Sequence, residues 1–164
     1  VGRAGSDGMT RGVVTQIDRT TAAISTAINE AQASSGVAIR SVIVGIAGDH
    51  IQSFQSRGVI GISGAEHEVT NADIDRLIED TKRVALPSDR KIIHVIPQEF
   101  IIDGQDGVYD PLGMSGVRME ANVHIITGLV SASQNIYKCV QRAGLEISDM
   151  VAPLPTDVVR RYCD

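Results

Sequence analysis

Four histidines, His50, His67, His94 and His124, and two cysteines, Cys139 and Cys163, are the side chains here best suited to hold a metal or attack a substrate. Their spacing favours neither. A zinc site draws ligands from close pairs such as HxxxH, HxH or CxxC, and none of these occurs, so no metal ligand is expected. His94 and His124 fall on two runs of strand character and read as a cross-strand pair on a wet face. Cys139 sits in a helical pattern with no activating cation beside it, and no serine occupies a GxSxG elbow, so no nucleophile stands out. Asp73, Asp75, Glu79 and Asp80 crowd one helical segment and read as its solvated face. Gly45-Ile46-Ala47-Gly48 has GxxG spacing, but it ends an apolar run and precedes Asp49, unlike a loop that clamps a nucleic-acid backbone. Neither GxGxxG nor GxxxxGK[ST] is present. The sequence therefore predicts no catalytic residue, no cofactor-binding residue and no metal site, and the chain is read as no enzyme by itself.

Composition narrows the partners further. Apolar residues make up 43% and charged residues 21%, as in a globular protein with a buried core. Aromatics are only 3%, with no Trp, so the core must be built from Ile, Val, Leu and Ala, and base-stacking platforms are scarce. A net charge of −5 with scattered Lys and Arg argues against nucleic acid. Two cysteines make no disulfide framework and read as reduced thiols of the cytoplasm. No run approaches the roughly 20 apolar residues of a spanning helix.

The elements that must position these residues are legible in order. After a Gly-rich start, Thr15 and Asp18 have capping-box spacing ahead of a helix whose stripe is Ile17, Ile24, Ala27, Ile28 and Ala31, stopped by Gly36. Ser41 to Gly48 reads as a strand, and Ile51 to Ile62 as another, interrupted at Arg57-Gly58. A second helix has Thr70 at its N-cap, Asp73 three residues on, a Val69–Ile74 staple, a face of Leu77, Ile78, Thr81 and Val84, and Pro87 as its exit. Ile92 to Ile96 is a strand with an edge or bulge at Pro97. A long polar loop rich in Asp-Gly turns follows. In the next strand Val117, Met119, Ala121, Val123 and Ile125 pack, while Arg118, Glu120, Asn122 and His124 meet solvent. Ser131 and Gln134 offer a capping box for a third helix with Ile136, Cys139, Val140 and Ala143 inside and Gly144 as its stop, and Leu145 to Ile147 begins a short extended segment. The pattern is α+β, a small antiparallel sheet with helices.

The wording HVIPQEFIIDGQ followed by DPLGMSGVRMEANVHIITG, with GVVTQIDRT, SVIVGIAGDHI and NIYKCVQRAGLEISDMV on either side, resembles the bacterial cell-division family of FtsA over nearly the whole chain. The tail APLPTDVVRRYCD departs from it. The resemblance implies that residues 40–126 form the small subdomain 1C, flanked by pieces of an actin-like subdomain 1A at 1–39 and 127–164. It implies a parent protein that holds ATP and Mg on phosphate loops outside these residues, tethers FtsZ to the inner face of the cytoplasmic membrane, and recruits later divisome proteins during septum formation. For this portion it implies contacts with other FtsA subunits in a filament and with later division proteins. The residues expected to make them lie on the loop and the wet strand face: Tyr109, Leu112, Met114, Arg118, Glu120 and His124. Charge reversal at Arg118 or Glu120 is then expected to leave stability within about 0.5 kcal/mol, as at exposed sites. The alternative is a nucleotide-binding ATPase domain active by itself, for which the sequence offers no phosphate loop.

Overall fold

Helix α2, Asn71–Thr81, begins where its sequence says it should. The Thr70 hydroxyl accepts from the Asp73 N–H, and the Asp73 carboxylate accepts in turn from the Thr70 N–H and hydroxyl at 3.1 and 2.7 Å, a closed capping box. The computed structural model describes residues 1–153; Cys163 and the tail beyond Pro153 lie outside the described residues.

The described residues divide into two compact units. The first takes Val1–Gln52, Asp89–Lys91 and Gly128–Pro153. It opens on a small antiparallel hairpin, β1 (Met9–Thr10) and β2 (Val13–Val14), within the Gly-rich start of the chain. Gly12 turns this hairpin at φ +80°, and a Cβ there would lie 1.7 Å from the Ala47 carbonyl oxygen, so the Gly45–Gly48 stretch serves close backbone packing. Helix α1, Ile17–Ser35, ends on Gly36 as predicted, but its capping box does not form: Gln16 is the N-cap, and Thr15 turns its hydroxyl to the Gly8 carbonyl. The apolar stripe of α1 is only half-buried, and Thr20 is its one fully buried residue.

β3 (Ser41–Gly45) pairs in parallel with β8 (Glu146–Val151), with a register shift between Val42 and Ile43. Helix α3, Val130–Arg142, buries Ile136, Cys139 and Val140 as its spacing predicted, and Gly144 follows at φ +80°. Its expected capping box is absent, because Ser131 lies inside the helix and Leu129 takes the N-cap. The Cys139 thiol donates to the Ile17 carbonyl at 3.7 Å, locking α3 to the start of α1.

The second unit takes Ser53–Ser88 and Ile92–Thr127. Its four-stranded sheet runs in the order β4-β7-β5-β6, with β4 Gln52–Gly61, β5 Arg90–Ile102, β6 Gln105–Val108 and β7 Arg118–Leu129. β4 continues unbroken through Arg57-Gly58, because Gly58 lies flat against α2, where a Cβ would meet Thr81 Cγ2 at 2.6 Å. β5 runs on past Pro97, which lies ahead of the first β5–β6 partners, Phe100↔Val108, so the proline interrupts no pair with β6. β6 occupies the first part of what reads in sequence as loop. α2 covers one face of the sheet, and Leu77 packs in a core with Val69, Phe100, Met119, Val123 and Ile125.

The expected wet face on β7 holds at Arg118 but fails at Glu120 and His124. Glu120 is 5% exposed and His124 7%, while Val117, assigned to the packed set, is 63% exposed. On the face away from α2 the side chains of Arg57 from β4 and of Arg118 close over the Glu120 carboxylate, and Val117 precedes the strand. Asp73, placed among solvated carboxylates, is buried as the cap of α2.

Candidate interaction surface

The six expected contact residues part company in the structure. Tyr109 and Leu112 project from the loop at 75% and 50% exposure, Met114 is half-buried against the core, and Arg118 is exposed. Glu120 and His124 are buried and cannot present a surface in the folded chain. The exposed apolar residues of the stretch between β6 and β7 are Tyr109, Leu112 and Val117, and Arg118 follows Val117 in the chain.

The loop that carries them is held by its backbone. Asp103 leaves β5 at φ +47°, and its carboxylate accepts from the N–H groups of Arg118 at 2.8 Å and Val117 at 3.0 Å. These two bonds, that from Arg118 first, hold its pKa below the usual carboxylate range. Gly116 fits where nothing larger would, since a Cβ would approach Ile102 Cγ2 to 2.4 Å. On the other side the segment 63–69 is laced to the loop: Gly116 N–H bonds His67 O at 2.9 Å, Val69 N–H bonds Met114 O at 2.9 Å, Gly113 N–H bonds Val69 O at 3.0 Å, and Glu68 bridges Ser115. Glu66 and His67 take positive φ in this segment, 63° and 56°, an unfavourable conformation for side-chain residues that the lacing maintains. Asp110 closes an Asx turn by accepting from Leu112 N–H at 3.2 Å. The exposed apolar side chains thus stand on a backbone already fixed.

Sequence reasoning missed Val117 because its parity matches the buried residues of β7, and only its place ahead of the strand exposes it. It also missed Arg57. From β4 this residue donates Nε–H to Glu120 Oε2 at 2.6 Å, while Arg118 Nη2 lies 3.1 Å from Glu120 Oε1. Next to this cluster, Asn122 Nδ2–H donates to Glu99 Oε1 at 2.8 Å. The Asp103–Arg118 and Glu99–Asn122 contacts run in opposite chain order, so β5 and β7 are antiparallel.

In the first unit, α1, β3 and α3 line an open apolar groove of about 440 Å³ that includes Ile24, Ile28, Val42 and Val140. Among the described residues no group of three or more His, Cys, Asp or Glu could hold a metal ion. No helix of the described residues is long and apolar enough to cross a membrane.

Residues 48–127 match the family model of the SHS2 domain inserted in FtsA. The chain is similar to the cell division protein FtsA of Pseudomonas aeruginosa, 48% identical over 151 residues, covering 92% of this chain and 36% of that protein. It is also similar to the FtsA of Neisseria meningitidis serogroup B, 48% identical over 155 residues, covering 94% of this chain and 37% of that one. The Escherichia coli K12 FtsA is 36% identical over 151 residues, covering 92% and 36%. The chain thus spans a little over a third of the length of these curated relatives. Among solved structures, a chain of a PilM-PilN type IV pilus biogenesis complex superposes with a TM-score of 0.57 over 90% of this chain and 38% of that chain, at 12% identity, a likeness of fold alone.

Proposed function

We propose, from the premise that this chain belongs to the FtsA family over the third of those proteins that it spans, that its second unit is a protein-contact module of bacterial cell division. The observation that carries the reading is the pairing of exposed apolar side chains, Tyr109, Leu112 and Val117, with a backbone fixed by Asp103 and by the 63–69 segment. A rigid loop loses little entropy when it docks, and exposed aromatic and branched side chains supply the area to bury. The partners this surface suits are other FtsA subunits and later division proteins. For the longer protein, attachment of FtsZ at the inner face of the cytoplasmic membrane, and ATP with Mg held elsewhere in the sequence, belong to the same proposal.

The test is association measured with Tyr109→Ser and Leu112→Ser together, in this chain and in a full-length relative carrying the matching changes. Association should fall about tenfold or more, with the melting temperature unchanged. Unchanged association in both would remove the loop from the interface. Calorimetric titration of this chain with Mg·ATP should give no heat up to millimolar ligand, and saturable micromolar binding would favour a nucleotide-binding domain instead.

A further inference from the structure

Strand β4 forms one edge of the four-stranded sheet, and its two halves differ. Ile62, just past its end, sends its N–H inward to Val117 O at 2.9 Å. Two residues of β4 bond outward instead: Val59 N–H goes to Asp80 Oδ2 at 3.3 Å, and Gly61 O accepts from Arg76 Nη2 at 2.8 Å. Backbone groups alternate sides along a strand, so Ser53, Gln55 and Arg57 also face outward. Side chains of α2 cap the half near Gly61, whereas no side chain of the described residues caps the half from Ser53 to Arg57. All three residues there are exposed. A long uncapped edge is a template for another strand.

The charge beside that edge selects what the strand should carry. Arg57 and Arg118 share the carboxylate of Glu120, two cations on one anion, with 57% and 60% of their side chains exposed against 7% for Glu120. Arg57 spends its Nε and one Nη on Glu120, which leaves N–H donors of its guanidinium for a second acceptor. Arg57 is thus a half-exposed cation on the edge strand itself with donors still to use. A residue paired across from Arg57 on an added strand would lie about 5 Å from it, within reach of a charge-assisted hydrogen bond.

We propose that the open half of β4, Ser53 to Arg57, receives an extended acidic peptide segment as an added strand, with a carboxylate of that segment held by Arg57. The site uses neither Tyr109 nor Leu112 and lies at the end of β4 away from their loop, so either surface can fail while the other stands. It is tested on the whole chain by amide hydrogen exchange, with a blocked peptide of alternating glutamate and threonine as probe and its lysine counterpart as control. The N–H groups of Ser53, Gln55 and Arg57 should gain protection with the acidic peptide alone, and that of Val59 should not change. Arg57→Gln should weaken binding about tenfold, and Gln55→Pro, which removes one outward donor, should abolish it. Equal protection by the lysine peptide, binding at other residues, or protection that rises with protein concentration before any peptide is added would overturn the proposal, the last in favour of a second copy.

Discussion

Arg57 of β4 closes over Glu120 of β7, its Nε–H 2.6 Å from Oε2, and so buries a carboxylate in the open face of a sheet. Arg118 completes the clamp from the other side. Because the carboxylate is the common partner, its loss strands two guanidinium groups, whereas the loss of either arginine leaves a pair. Glu120→Ala is expected to cost about 1–2 kcal/mol in urea denaturation, and Arg57→Ala about half of that, the arginines being more than half exposed. Equal costs would mean that the clamp is not shared.

Asp73 gives the protein an acid limit. Burial alone would raise its carboxyl pKa, but hydrogen bonds from Thr70 and Ser63 outweigh that and lower it to about 2. A depressed folded-state pKa contributes stability that is complete above the unfolded value, 3.8, and is lost as pH falls through about 2. Asp73→Asn should therefore cost roughly 2 kcal/mol at neutral pH. The gap between variant and parent should close over that acid range in a pH series of denaturation curves.

His50 works over a higher range and in the same sense. Its ring is 6% exposed with no hydrogen-bond partner on either nitrogen among the described residues, and burial together with Arg90 lowers its pKa from 6.5. The unfolded chain takes up this proton first, so stability should decline as pH drops below 6.5 until the folded ring also titrates. His50→Phe should remove this part of the pH dependence, as measured by melting temperature across roughly pH 5 to 8, the span of histidine titration.

Gly116 tests the fixed loop. A Cβ would lie 2.4 Å from Ile102 Cγ2 and 3.0 Å from Asp103 Oδ2, so Gly116→Ala must push the loop off its carboxylate anchor. The expected cost is about 1–3 kcal/mol, with faster amide exchange at Val117 and Arg118, the two donors to Asp103. An unchanged exchange rate at both would show that the anchor does not depend on this contact.

What the sequence by itself determined is local. The Thr70–Asp73 box, the Gly36 and Gly144 stops, the buried stripe of α3 and the packed parity of β7 each depend on residues within a few positions of one another, so spacing alone reveals them. The same run of residues carried the resemblance to FtsA. Where spacing misled, a distant partner had intervened. Thr15 left its capping box for the Gly8 carbonyl, and β3 found its parallel partner in β8, about a hundred residues along the chain. Tertiary structure alone decided that β4 lies beside β7 and brings Arg57 over Glu120, and that Glu120 and His124 are covered while Val117 is bare. Alternation tells which residues share a face of a strand. Whether that face is wet depends on the neighbouring strands and on side chains such as Arg57 that reach across from them.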